Sequence, residues 1–213
     1  MSLWLAIDTS VGTSVALLRD GALAAQVTNR DTMGHAENIG NCIDSVLREA
    51  GVRPSELTAV VVGRGPAPFT GLRVGIAAAI AFATGAGKPL FGVVSHDAIA
   101  FAFADHIDKP LLVETDARRK EVYFTLYSGV DEHGVPQRID GPHVATRDAM
   151  LEKLKSTDYR TSDQKLTAEN IARVSLAQSL AGNLSSDVSA IYLREPDAVE
   201  PNPNKRVGKQ VSS

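Results

Sequence analysis

One cysteine, Cys42, stands in 213 residues, so the chain holds no internal disulfide and suits a reducing compartment. A basic excess is also missing. With 22 Lys and Arg against 25 Asp and Glu, the net charge is −3 and the pI near 5.9, which is not the footprint of a nucleic-acid-binding domain. Any role on RNA would therefore borrow most of its basic surface from a partner. Long apolar runs are absent too: the longest, residues 74–83, is about half of the ~20 residues that a membrane span needs. An acidic residue as early as Asp8 interrupts what would have to be a signal peptide. A soluble, cytoplasmic chain without membrane contact is expected. Its mass of 22.6 kDa and 44% hydrophobic content suit one large domain or two small lobes.

Catalytic signatures are as scarce. A helical metal pair needs histidines at i and i+4, but the fourth residue after His35 is Ile39. His96, His106, His133 and His143 fall at no ligand spacing, so no metal is expected. The Gly-x-Ser-x-Gly elbow of a serine nucleophile does not occur. Cys42 lies on the apolar border of a helix, where a packed, inert thiol is the default. Asp116 and Glu121 flank Arg118, Arg119 and Lys120, an arrangement suited to surface ion pairing rather than acid–base work.

What is present centres on residues 63–75, Gly-Arg-Gly-Pro-Ala-Pro-Phe-Thr-Gly-Leu-Arg-Val-Gly, which follow the apolar Ala59-Val60-Val61-Val62. This reads as strand, glycine-rich corner, helix, with glycines freeing φ and Pro66 and Pro68 stiffening the loop. It fails the phosphate-loop tests. Five residues separate Gly65 from Gly71, and Leu72 stands where a Walker loop has lysine. Pro68 occupies the third-glycine position of a dinucleotide turn. A second loop, Asp8-Thr9-Ser10 with Gly12 and Thr13, lies between the first two expected strands. In actin-like ATPases a comparable hairpin touches Mg²⁺ and phosphate; alternatively, Asp8 and Thr9 satisfy local backbone groups in a turn.

Strands are expected at 3–7, 14–19 and 22–28, the last two joined by the Asp20-Gly21 turn. Ile39, Ile43, Val46, Leu47 and Ala50 then recur at helical spacing, predicting a helix over 38–50 stopped by Gly51. A strand at 59–62, a helix from an N-cap at Thr70 to about 84, a strand at 90–94 and a helix at 97–104 capped by Ser95 follow. Strands at 111–114 and 121–127, a turn-rich 128–141, helices at 146–155 and 167–180 and a strand at 188–193 complete the reading. This order predicts an α/β chain of actin-like, RNase-H-like (ASKHA) type: a lobe over 1–105, a reduced lobe over 106–195, and an irregular tail over 196–213. A generic α/β sandwich is the alternative.

Ala6-Ile7-Asp8-Thr9-Ser10, His35, the 63–75 loop, Asp116-Ala117-Arg118-Arg119-Lys120-Glu121-Val122-Tyr123 and Tyr192-Leu193-Arg194 together resemble the bacterial TsaB (YeaZ) family over most of the chain. The resemblance implies an actin-like fold and a part in making threonylcarbamoyladenosine beside the anticodon of tRNA. It implies a non-catalytic partner of the metal-holding paralogue TsaD, joined by the ATPase TsaE, with tRNA reached only through the complex. It also implies pairing through first-lobe helices, with TsaD or as a homodimer. On this sequence the candidate interface residues are His35, Ile39, Cys42, Ile43, Val46, Phe69, Leu72, Arg73, Ile76 and Ile80. Each helix must also bury a face on its own sheet, so only part of each is free to dock. A vestigial nucleotide site would use Asp8, Thr9, Ser10, Gly12 and Thr13, with ATP or ADP bound weakly or at the complex interface and no cofactor otherwise. Ala67-Pro68 replace the Gly-Ser of many members, and Ser189 stands where proline is common. No counterpart of the usual strand shows between Leu154 and Thr167, as though this half were trimmed or a stretch near 159–164 absent. Two other functions compete: an independent actin-like kinase or ATPase using Asp8, Thr9 and Thr13, and a peptidase.

Overall fold

Two mixed sheets share the chain in a computed structural model that describes residues 1–29, 34–103, 109–162 and 165–194. The expected 196–213 tail, His106 and Ala104 lie outside the described residues. The first sheet has strand order β3-β2-β1-β4-β5, from β1 (Leu3–Asp8), β2 (Thr13–Arg19), β3 (Ala22–Asn29), β4 (Ala59–Gly63) and β5 (Leu90–Val93). β1, β2 and β3 pair antiparallel, and β4 lies parallel to both β1 and β5. Asp20 and Gly21 take φ of 49° and 81°, the left-handed pair that a two-residue hairpin needs.

Alternation along the strands sorts the core into two faces. Leu3, Leu5, Ile7, Val60 and Val62 point toward α1 (His35–Ala50) and α2 (Phe69–Ala86). Trp4, Ala6, Ala59 and Val61 point the other way, toward α3 (Ser95–Ala102) and α5 (Ala168–Leu180). α5 comes from the 106–195 stretch yet packs on the first sheet, burying Ile171, Ala172 and Val174 there. Its start is pinned to β2 and β3: Ala168 N donates to Ser14 Oγ at 3.1 Å and Glu169 N to Gln26 Oε1 at 3.2 Å. A five-stranded sheet with helices on both faces, followed by a smaller sheet, is the actin-like, RNase-H-like arrangement expected from the element order.

The second sheet runs β8-β7-β6-β9, from β6 (Leu111–Asp116), β7 (Glu121–Val130), β8 (Pro136–Thr146) and β9 (Arg160–Thr161). α3 covers one face through Ile99 and Ala100, together with Phe103 just past its end. α4 (Arg147–Leu154) covers the other with Met150 and Leu154. Thr146 and Thr167, the first residues of the expected helices at 146–155 and 167–180, cap α4 and α5 instead, accepting from Ala149 N and Asn170 N.

Several expectations are corrected. The stretch read as turns up to residue 141 contains most of β8; this is an edge strand, where Pro136 and Pro142 cost no central ladder bond. A two-residue strand, β9, does stand between Leu154 and Thr167, too short to leave a periodic pattern. Residues 188–193 form no strand. They run as a strap over the end of β4, with one bridge from Gly92 to Ser185 and Ile191 N donating to Arg64 O at 2.9 Å. α1 starts at His35 rather than 38, because buried His35 is tied to Thr13 and Asn38 bonds back to Gly34 O. α2 is long and apolar enough, by length and composition, to cross a membrane, and it packs Leu72, Ala79 and Ala83 into the molecule.

A buried polar network joins α3 to the second sheet. His96 is fully buried between the hydroxyls of Thr125 and Thr115, at 2.8 and 2.9 Å, and burial pushes its pKa down to about 3, so it is neutral. Asp97 Oδ1 accepts from Tyr127 Oη at 2.7 Å and pairs with Arg138 Nε at 3.1 Å. Burial nevertheless outweighs these partners and raises its pKa to about 6. A carboxyl whose folded pKa lies above its unfolded one stabilises the fold fully at low pH and loses that contribution as pH rises through 6. In urea titrations, Asp97→Asn is therefore expected to gain on the wild type between pH 4 and pH 7, by up to about 3 kcal/mol. A difference that ignores pH would contradict this assignment.

Candidate functional site

The C-terminal end of β1 meets the 63–75 corner at the first lobe's strand ends. Asp8 is buried at 2% exposure, and its carboxylate is fully engaged. Oδ1 accepts from Ser10 N at 2.7 Å; Oδ2 accepts from Ser10 Oγ at 3.2 Å and from Ser95 Oγ at 2.8 Å. Ser95 in turn accepts from Gly65 N at 3.2 Å, so one hydroxyl ties β1, the corner and α3 together. This explains why Ser95 is no cap: it is the first residue of α3, behind Val94, with its hydroxyl turned to Asp8. Burial raises the Asp8 pKa to about 6 against the pull of these bonds.

The glycines serve close approach more than turning. A Cβ on Gly63 would lie 1.8 Å from Asp8 Oδ2, and one on Gly75 would lie 2.1 Å from Thr9 Oγ1. Thr9 Oγ1 donates to Gly71 O at 2.8 Å, so the Thr9 side chain occupies the groove that Gly71 and Gly75 leave on α2. His35 closes the opposite wall: Thr13 Oγ1 and His35 Nδ1 are 2.9 Å apart, and a Cβ on Gly71 would meet His35 Nε2 at 2.9 Å. Of the corner's glycines only Gly65, at φ 93°, needs the left-handed region. The reading that all of them free φ is corrected accordingly.

The five residues of the candidate nucleotide hairpin thus come together, but Asp8, Thr9, Ser10 and Thr13 spend their side chains on the chain's own groups. Gly12, at φ 96°, makes the turn. Local satisfaction covers only part of this geometry: Asp8 accepts from Ser10 N, but Thr9 reaches Gly71 O and Asp8 also takes Ser95 Oγ, partners 62 and 87 residues away. Above it lies a cleft of about 510 Å³, lined by Thr9, Ser10, His35, Glu37, Phe69, Thr70, Val74 and Arg118 among others.

The candidate interface residues separate by burial. Ile39, Cys42, Ile43 and Val46 on α1 and Leu72 on α2 are at most 7% exposed and belong to the chain's own core, as does His35. In the single chain Ile39, Cys42, Ile43 and Val46 pack on the first sheet, while Leu72 is buried beside Gly65 of the corner and His35 beside Thr13 of the hairpin. Ile76 is half-buried, while Arg73 is exposed and Ile80 is 44% exposed. α2 begins at Phe69 behind Pro68, with no capping side chain, rather than at Thr70. Its outward stripe is Thr70, Arg73, Ala77, Ile80, Ala81 and Thr84, spaced at three and four residues. Phe69 and Arg73 also serve the strap: the Phe69 and Tyr192 rings are 4.7 Å apart, Arg73 Cζ sits 3.5 Å above Phe69, and Arg73 Nε donates to Tyr192 Oη at 2.9 Å. Arg64 holds the same strap through Asp187, whose carboxyl is kept well below its usual range by the Ser189 hydroxyl and Arg64.

Sequence reasoning missed Ser95, Tyr192 and Gly75 as site members. The Gly71-x-x-x-Gly75 spacing marks a helix face open to a close neighbour and could have pointed to Thr9; nothing local points to Ser95. Among the described residues no three of His, Cys, Asp or Glu converge as a metal-binding set.

Residues 24–191 match a family model described as TsaD: tRNA N6-adenosine threonylcarbamoyltransferase. The tRNA threonylcarbamoyladenosine biosynthesis protein TsaB of Bacillus subtilis is 34% identical over 158 residues, covering 72% of this chain and 66% of that protein. TsaB of Escherichia coli is 36% identical over 135 residues, covering 62% and 57%. An uncharacterised Mycobacterium leprae protein is 43% identical over 152 residues, covering 68% of this chain. The chain spans 39% of that protein and 58% of a Mycobacterium bovis relative, less than two thirds of either. Among solved structures, YeaZ from Pseudomonas aeruginosa superposes with a TM-score of 0.72 at 24% identity, over 91% of this chain and 100% of that one. This likeness establishes the shared fold.

If Thr9 needs the bare face of α2, the two glycines of that helix should respond oppositely. Gly75→Ala forces an atom into Thr9 and is expected to cost about 2 kcal/mol. Gly85→Ala meets nothing within 4 Å and should gain about 0.5–1 kcal/mol from helix propensity. Chemical denaturation of both variants checks the pair; equal effects would refute the close-approach account.

Proposed function

The chain belongs to the TsaB/YeaZ family, and from that premise we propose that it is a non-catalytic subunit that docks on TsaD in the threonylcarbamoyladenosine modification of tRNA. One observation carries the reading. α2 is an 18-residue helix with Arg73 as its single charged residue, and its outward stripe of Ala77, Ile80 and Ala81 stays exposed. Small residues there let a partner helix approach closely, and large ones from the partner can fill the grooves. Burial of apolar area on such a face contributes about 25 cal/mol per Å² before the costs of association. α1 flanks it with an exposed Gly40, Asn41, Asp44 and Arg48, a polar rim beside the apolar stripe.

On this reading TsaE joins the assembled pair, and a second copy of the chain competes for the same stripe as a homodimer. The location is the cytoplasm, where tRNA is modified. The Asp8–Thr13 hairpin acts as a clasp that fixes α2, with no cofactor of its own, because the groups that would face phosphate are already bonded inside the chain.

Ile80→Asp is the direct test. Its side chain is exposed, so folding stability should change by less than about 1 kcal/mol. Binding to purified TsaD, measured by calorimetry, should weaken at least about tenfold. A variant that binds TsaD as the wild type does would overturn the docking face.

A further inference from the structure

We propose that the turn between β6 and β7 is an RNA contact, which seats phosphates of a single-stranded tRNA segment at the mouth of the cleft beside α2; this rests on the tRNA-modification reading above. Arg118, Arg119 and Lys120 form the only run of three consecutive cationic residues in the sequence. All three are exposed, and their φ values are 64°, 54° and 63°. Three successive left-handed residues without a glycine are sterically costly, and such strain persists where the surrounding structure fixes it. Here the turn is tied by Ala117 N to Glu121 O and Glu121 N to Arg118 O, both 3.0 Å, and by Arg118 N to Asp116 Oδ1 at 2.8 Å. Joining two strands does not need this, since an Asn-Gly pair would do it without strain. The turn's distinct product is an exposed cationic tip on a chain of net charge −3, with Arg118 also 3.7 Å from Asp116 Oδ2 and Lys120 lining a neighbouring cleft with Glu114, Asp116 and Glu121.

The neighbourhood of the tip carries the chemistry of single-stranded RNA. Arg118 lines the same cleft as Phe69 and Thr70. The first turn of α2 there has neither a capping side chain nor an acidic residue, which leaves its positive end toward the cleft. The Arg73 guanidinium lies over the Phe69 ring, and the Tyr192 ring, 43% exposed, meets Phe69 at a tilt of 36°. Cations for phosphates beside aromatic and guanidinium planes for bases are how proteins hold unpaired RNA. Glu37, on the same wall, offers an acceptor to a base edge. At about 510 Å³ the cleft falls within the size range of small-molecule sites and admits a nucleotide. An acidic protein surface would suit the tip but leave the aromatic platform unused.

The experiment uses the chain complexed with TsaD and a fluorescein-labelled tRNA transcript, with affinity read by anisotropy over a salt series. Neutralising the tip as Arg118→Gln/Arg119→Gln/Lys120→Gln should weaken RNA binding about tenfold and lower the salt slope by about 2, at ~0.7 per single-strand phosphate. Tyr192→Ala should weaken binding with the slope unchanged. Complex formation by the wild type is measured first, because its failure would sink the docking reading rather than this one. A formed complex whose RNA affinity and slope ignore the neutralised tip overturns the inference. So does unchanged RNA binding with weakened TsaD association, which would assign the turn to an acidic protein surface.

Discussion

The end of β1 is pressed against α2 more tightly than two ordinary side chains would allow. Thr9 sits where Gly75 has no Cβ and bonds the Gly71 carbonyl, while Asp8 sits where Gly63 has none. Ser95 then ties the Asp8 carboxylate to the backbone of the 63–75 corner. Through these contacts the strand ends of the first sheet set the position of α2 as a rigid unit. His35 extends the same arrangement to α1 by meeting Thr13 on one side and the Gly71 face on the other.

A fixed α2 has two faces with different duties. Ala79 and Ala83 are spent on the core cluster to which α1 gives Ile39, Ile43 and Val46, and Leu72 is fully buried. What remains outward on α2 is an apolar centre of Ala77, Ile80 and Ala81 between the polar Thr70, Arg73 and Thr84. The strap of residues 185–194 completes the frame from the far end of the chain, where Arg64 holds Asp187 and the Tyr192 ring meets Phe69 at a tilt. The polar side chains of the Asp8–Thr13 hairpin are turned inward to build this frame.

Much of the framework could be read from residues alone, and the reasons for the misses are physical. The Asp20-Gly21 turn and the Gly51 stop each depend on one local interaction, and each stands where the sequence put it. β8 was hidden because edge strands accept proline, and β9 because two residues carry no period. Spacing identified the apolar residues of α1 but not which surface would claim them; Ile39 and Val46 look the same in sequence whether they meet their own sheet or a partner. Ser95 was misread as a cap because its partner, Asp8, lies 87 residues away. Asp8 itself was legible as a member of a hairpin, yet its role depends on what approaches it in space.

The central claim is that the clasp aims the outward stripe of α2 at TsaD. Hydrogen exchange read by mass spectrometry, on this chain alone and with saturating TsaD, addresses it directly. The account predicts new protection in peptides covering Phe69–Ala86 and the adjoining exposed face of His35–Ala50, with none in Arg147–Leu154 on the second sheet. Protection confined to the second sheet, with α2 exchanging as it does alone, would contradict it.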